Sequence, residues 1–235
     1  MIDIHTHILP NVDDGSDSFE KSIELLKQAK EQGVTHVILT PHIITNSSKY
    51  IGKEEIEKRF NEFVDKIKDL GVKVYLGGEI FYHDKTYQQL VNDQLITVNN
   101  SKYCIIEFPL KTELDIEEAL YNIRAKGFRP ILAHPERYKS LKSSDVKLIK
   151  ENAQIQVNSS SILGSHGKKI KKFVFELMRN DLVDYVSSDC HDPKKRNINL
   201  LQAYNIVRKK FGEEYADKVF KKNQQKLINE IDNAE

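Results

Sequence analysis

Nine residues of cation-binding type are distributed through this chain in a pattern that short apolar runs organise. His5 and His7 stand two apart in Asp3-Ile4-His5-Thr6-His7, and Asp14 follows beside Asp13. His42 comes after Thr40-Pro41, Glu79 after Gly77-Gly78, and Glu107 ends Ile105-Ile106-Glu107. His134 opens His134-Pro135-Glu136-Arg137, and Asp189 and His191 flank Cys190. Any one of these histidines alone is most simply a surface or hydrogen-bonded side chain. Five histidines and four carboxylates, each just beyond an apolar run, imply one shared rim. Imidazole and carboxylate without thiolate suit manganese, iron or zinc in a hydrolytic centre rather than a structural zinc site. Five imidazoles and four carboxylates exceed the needs of one ion, so two or three ions sharing carboxylates are expected.

The elements that must carry these groups alternate. Strands are predicted at 2–5, 34–39, 72–76, 103–108, 130–133, 154–157 and 183–186, several apolar at consecutive positions as in strands buried on both faces. Amphipathic helices are predicted at 18–32, 53–70, 115–126, 144–152, 166–180 and 198–210, with one or two more over 213–231. Strict alternation implies parallel strands with helical crossovers. Seven strands without a linker favour a closed or nearly closed α/β barrel in a single domain, residues 1–235, over an open doubly wound sheet. Period-two alternation in the first strand predicts that positions 3, 5 and 7 share a face opposite Ile2 and Ile4.

Composition sets the outer bounds. In 235 residues, 39% are hydrophobic and 30% charged, enough for a full core. The net charge of +1 gives no electrostatic reason for nucleic acid or an anionic membrane as partner. Two cysteines, Cys104 and Cys190, make neither a disulfide framework nor a CxxC zinc pattern. No basic-then-apolar leader opens the chain and no apolar run approaches the ~18 residues of a membrane span. A cytoplasmic enzyme or binding protein without membrane insertion is the expectation.

The motifs His5-Thr6-His7, His42, Glu79, Glu107, His134 and Asp189-Cys190-His191 resemble those of the polymerase and histidinol phosphatase (PHP) superfamily. The opening Met1-Ile2-Asp3-Ile4-His5-Thr6-His7-Ile8-Leu9-Pro10 and Asp13-Asp14-Gly15 resemble, within it, the bacterial manganese-dependent tyrosine-protein phosphatases of the CpsB/CapC/YwqE type, found with capsule or exopolysaccharide genes. The resemblance runs from residue 1 to about 225. It implies a distorted (β/α)7 TIM-like barrel with three divalent ions, manganese first and iron or zinc as alternatives. By the same resemblance, His5, His7, Glu79 and Asp189 would hold one ion. Glu79, Glu107 and His134 would hold the second, with Glu79 bridging. Asp14, His42 and His191 would hold the third. Arg137 and Arg196 match the family's phosphate-contacting arginines, and the substrate the resemblance implies is a phosphotyrosine protein, the tail of a bacterial tyrosine kinase. Ile43-Ile44 after His42 departs from relatives that often carry more histidine there, a difference that falls beside the third set.

Charge counting agrees with a phosphate substrate. Three divalent ions against four carboxylates and a hydroxide leave a positive site, which two arginines make more so, facing a near-dianionic phosphoryl group. The expected chemistry is in-line attack by water activated at the ions, with the ions and arginines neutralising the equatorial oxygens. A rival motif is present. Cys190-His191-Asp192-Pro193-Lys194-Lys195-Arg196 fits the C-x5-R pattern of cysteine-dependent phosphatases, but it holds a proline and no glycine. Alternation also turns Cys190 away if Asp189 and His191 face the site. A small-molecule phosphatase acting on a substrate such as histidinol phosphate, or a non-catalytic metal-binding module, are the other readings.

Overall fold

The computed structural model describes residues 1–111 and 114–233; the expected single unit 1–235 includes four residues outside these. The strands are β1 (Ile2–Thr6), β2 (His36–Leu39), β3 (His42–Ile43), β4 (Lys73–Leu76), β5 (Glu79–Phe81), β6 (Tyr103–Glu107), β7 (Arg129–Ala133), β8 (Gln154–Asn158) and β9 (Tyr185–Ser187). All pair in parallel, in the orders β1-β2-β4 and β3-β5-β6-β7-β8-β9. The second and third expected strands, 34–39 and 72–76, form β2 and β4, and each is continued beyond a break by a short strand that was not expected, β3 or β5. Pro41, which lacks an N–H, breaks β2 from β3, and Gly77-Gly78 breaks β4 from β5. Hydrogen bonds from Gly77 N to Leu39 O (2.8 Å) and from Glu79 N to Pro41 O (3.0 Å) carry the pairing across the break. Counted this way there are seven staves. A parallel bridge between Thr6 and Cys190, with His7 N donating to Cys190 O at 2.8 Å, brings the last stave to the first. The result is a distorted TIM-like barrel.

The helices are α1 (Phe19–Glu31), α2 (Lys53–Lys66), α3 (Thr86–Val91), α4 (Ile116–Ala125), α5 (Ser143–Ile149), α6 (Ser159–Leu163), α7 (Lys168–Arg179), α8 (Leu200–Phe211), α9 (Glu213–Asp217) and α10 (Asn223–Asp232). Ser18 and Asp115 cap α1 and α4 by accepting from the N–H groups of Lys21 and Glu118. The short α3 and α6 carry too few residues for a visible apolar period and were not expected. Helix α7 begins after Gly167, so His166 lies outside it. Leu25, Leu26 and Ala29 of α1 show the apolar stripe that packs on the outside of the barrel. The interior has its own cluster, in which Leu227, Ile228 and Ile231 of α10 meet Ile2, Ile4, Ile105, Ile131 and Tyr185. Helix α10 thereby closes the end where the strands begin, and the polar groups are left to the other end.

One expectation about β1 is corrected. Asp3 pairs with Val37 and Thr6 with Leu39, so three steps of β1 run against two of β2, a bulge. Ile2 and Ile4 therefore belong to the interior cluster, while His5, next to Ile4, also reaches the interior groups Glu79 and Gln156. Asp3 is on neither face of a simple pleat: it accepts from Ser188 N (3.1 Å) and His5 N (3.4 Å), tying β1 to the loop after β9. Burial pushes its carboxyl pKa up to about 6 against those bonds.

Candidate metal centre

The structure brings all nine candidate side chains to one end of the barrel. Glu79 is at the middle, only 1% exposed, with four imidazoles around it. Its Oε1 lies 2.8 Å from His134 Nε2 and 3.3 Å from His5 Nε2; its Oε2 lies 2.9 Å from His42 Nδ1 and 3.3 Å from His7 Nε2. Glu107 Oε2 is 3.7 Å from His42 Nδ1 and its Oε1 3.6 Å from His134 Nε2. Asp189 Oδ1 is 3.4 Å from His7 Nε2 and 3.9 Å from His5 Nε2. Asp14 reaches His42 Nε2 at 3.4 Å and His191 Nε2 at 3.5 Å from the exposed side.

These contacts resolve into three groups whose ligand atoms lie within 4.8 Å of one another: His5, His7 and Asp189; His42, Glu79 and Glu107; and His7, Asp14, His42 and His191. His134 stands beside the second group. Buried Glu79 Oε2, His42 Nδ1 and His191 Nε2 have no hydrogen-bond partner among the described residues, although the first two are close neighbours. Unpartnered polar atoms at this depth are costly unless something outside the chain engages them. Neutral imidazole nitrogens and carboxylate oxygens converging without their own bonds are the donor set that hard or borderline divalent cations take. The residues fit the cations.

Electrostatics agree. Burial alone would depress the pKa of His5, but Glu79 and Asp189 outweigh it and the value rises. His7, opposed by burial and supported most by Asp13, rises well above the ordinary histidine range. Glu79 and Asp189 fall well below theirs, because the surrounding imidazoles overcome burial. Glu107 goes the other way, raised by burial and then by the charge of Glu79. One negative charge among these imidazoles is welcome; a second beside it is not without further positive charge.

Backbone and second-layer groups hold the ligands in place. His134 (φ 33°), directly after β7, and Asp189 (φ 52°), separated from the end of β9 by Ser188, are both left-handed, at the turns where the chain leaves the barrel. Asp13 Oδ2 accepts from His7 Nδ1 at 2.7 Å and from the His42 backbone N–H at 2.9 Å, while its Oδ1 accepts from Gly15 N at 2.9 Å. An ionised carboxylate only accepts, so Nδ1 of His7 carries a proton and Nε2 is turned to the centre. Burial would raise the Asp13 pKa, yet His7 and the two amides hold it down at about 2. Gln156 Oε1 accepts from His5 Nδ1 (3.0 Å), Gln156 Nε2 donates to Asn158 Oδ1 (2.9 Å), and Asn158 Nδ2 donates to Asp189 Oδ2 (2.7 Å). Glu136 Oε1 accepts from Asn158 N at 2.9 Å, anchoring the turn that carries Arg137.

Sequence reasoning noted Asp13 without a role and missed Gln156, Asn158 and Glu136. The signal for the amides was present: polar residues at 154, 156 and 158 alternate with buried Ile155 and Val157.

The two arginines stand on the Asp189 side. Arg196 Nη2 donates to Asp189 Oδ1 at 3.0 Å, and Arg137 Nη1 is 3.6 Å from Asp189 Oδ2. Cys190 is fully buried in the outer hydrophobic cluster, and burial pushes its thiol pKa up, which disfavours the thiolate that a cysteine nucleophile needs. Cys104 is core as well. His83 bonds Thr45 (2.9 Å), His36 bonds Thr35 (2.8 Å) and stacks on Tyr75, and His166 bonds Ser160 (3.2 Å).

An all-parallel seven-stave barrel with a histidine and carboxylate centre at one end is a PHP-like barrel. Within that class, the family model for capsular polysaccharide synthesis, CpsB/CapC, matches residues 1–229, and the chain belongs to this family. It is 35% identical over 222 residues to tyrosine-protein phosphatase YwqE of Bacillus subtilis, covering 91% of this chain and 86% of that protein. It is 34% identical over 241 residues to tyrosine-protein phosphatase CpsB of Streptococcus pneumoniae, covering 97% of this chain and 98% of that one. A solved structure from the pair YwqE of Bacillus subtilis and CpsB of Streptococcus pneumoniae, described as unique metal-dependent tyrosine phosphatases, aligns with TM-score 0.85 at 33% identity. It covers 92% of this chain and 90% of that one. Histidinol phosphate phosphatase from Lactococcus lactis shares the fold, with TM-score 0.59 at 11% identity, covering 93% of this chain and 94% of that one.

Proposed function

We propose that this chain, as one domain, is a metal-dependent protein-tyrosine phosphatase acting in the cytoplasm on the phosphorylated tail of a bacterial tyrosine kinase that governs capsule or exopolysaccharide assembly. Family membership and the names of its relatives support the substrate class and setting. Among the described residues no helix is long and apolar enough to cross a membrane. The observation that carries the chemistry is Glu79, buried among four imidazoles with one oxygen unpartnered.

In this reading His5, His7, Glu79 and Asp189 hold one ion, Glu79, Glu107 and His134 a second, and Asp14, His42 and His191 a third, with manganese as the native metal. Bound there, divalent ions lower the pKa of water toward neutrality and offset phosphoryl charge. The chain's own groups do the rest. Asp13 and Gln156 fix which imidazole nitrogen faces inward. Arg137 and Arg196 orient the phosphoryl oxygens and stabilise the charge that spreads over them in the transition state. The tyrosine leaving group, with an ordinary pKa ≈ 10, departs more readily than an alkoxide.

Manganese-reconstituted protein is expected to hydrolyse a phosphotyrosine peptide in preference to a phosphoserine peptide and histidinol phosphate, and to stop on chelation. Preference for histidinol phosphate would overturn the tyrosine assignment; activity indifferent to chelators would overturn the metal chemistry.

A further inference from the structure

A cavity of about 450 Å³ adjoins the centre on the side of His42 and Glu107. Its other walls include Ile44, Tyr50, Ile51 and Phe81, all half-buried and so partly open to it. Their placement follows from the ligand pattern. Phe81 is two residues beyond Glu79 on β5, on the same face, and pairs in register with Glu107. Ile44 is two residues beyond His42. The alternation that sends two candidate ligands inward thus lays an apolar shelf beside them. Arg196 lines a different cavity, of about 270 Å³, with Asp189 and His166.

We propose that the cavity walled by Ile44, Tyr50, Ile51 and Phe81 receives the aromatic ring of the phosphate ester, and that these side chains set the preference for aryl over alkyl phosphates. The inference rests on the phosphatase reading and deepens it. A phosphoryl group gripped by arginines on the Asp189 side leaves its ester oxygen facing the opposite side, where the apolar walls begin. A phenyl ring there is removed from water against aliphatic and aromatic surface. A serine phosphate has no ring to fill the space, and its peptide backbone would have to approach the rim more closely. Burying roughly half of a ring, on the order of 55 Å², corresponds to about a tenfold gain in affinity.

The test uses manganese-loaded protein and two non-hydrolysable probes, phenylphosphonate and methylphosphonate, titrated calorimetrically, alongside turnover of matched phosphotyrosine and phosphoserine peptides. Phenylphosphonate is expected to bind about tenfold more tightly than methylphosphonate, and Phe81→Ala and Ile51→Ala should each cut that advantage to about threefold or less. Methylphosphonate affinity, kept within about twofold, reports that the variants are folded and loaded. In turnover, the phosphotyrosine to phosphoserine ratio should fall mainly through KM. No phenyl advantage in the parent protein, or one that survives both substitutions, overturns the proposal. Failure of the parent protein to hydrolyse phosphotyrosine would sink the functional reading instead, while the phosphonate titrations still decide where the ring binds.

Discussion

Asp13 shows how much one side chain outside the candidate ligand set can control. A single carboxylate accepts from the His7 ring, the His42 backbone and Gly15, so it joins ligands from two staves and the loop between them. In Asp13→Asn the amide keeps the size but brings an NH2 group toward donors, and either His7 loses its partner or its tautomer reverses. Divalent-metal affinity should fall about 10- to 100-fold with little change in fold, read by metal titration and circular dichroism. Unchanged affinity would show that His7 needs no orientation from Asp13. The residue was visible in the sequence but its role was not, because nothing local in Asp13-Asp14 says which ring or amide a carboxylate there will meet. The amides Gln156 and Asn158 were passed over because amides are uncommon ligands, although their alternation matched that of the other staves.

Among the elements, the interrupted staves have a physical purpose. Splitting the second and third staves lets β3 and β5 begin with His42 and Glu79, which pair directly in register. The close approach at Gly78 makes this possible. A Cβ there would lie 2.6 Å from Ile43 Cγ1 and 2.8 Å from the Ile96 carbonyl oxygen, so backbone would have to move. Gly78→Ala is expected to destabilise the protein by about 1–3 kcal/mol in denaturant unfolding and to weaken metal binding, because the strand that shifts carries Glu79. A variant as stable as the parent would show that the loop simply relaxes. The helix starts at Ser18 and Asp115 were legible because their caps are local side-chain chemistry. The bulge in β1 was not, since nothing in Asp3-Ile4-His5 announces that one residue exceeds its partner strand.

For the whole molecule, acid and base behaviour follows from a centre built of opposed charges. His5, His7 and His42 have folded pKa values above the ordinary 6.5, raised by carboxylates against burial. Their contribution to metal-free stability is therefore complete below 6.5 and is lost as pH rises through the folded values. Glu79 and Asp189, held low, contribute fully above their ordinary values and lose that contribution as pH falls from there toward their depressed ones. Metal competes with the imidazole protons, so its stabilisation grows over the same rise in pH. Melting curves of chelated and manganese-saturated protein between about pH 6 and 9 should diverge as pH rises, toward about 3–4 kcal/mol at several hundred-fold ligand excess. A gap that narrows with pH would contradict proton competition at these histidines.

By itself the sequence determined the alternation of strands and helices and the identity of the imidazoles and carboxylates at strand ends, because hydrophobic periodicity and side-chain chemistry are local. Only the tertiary structure decided that Glu79 sits among four imidazoles, that Asp13, Gln156 and Asn158 orient the ligands, and that an apolar cavity opens beside His42 and Glu107. Those facts depend on where strands distant in the chain break, bulge and come into register, and no local pattern carries that information.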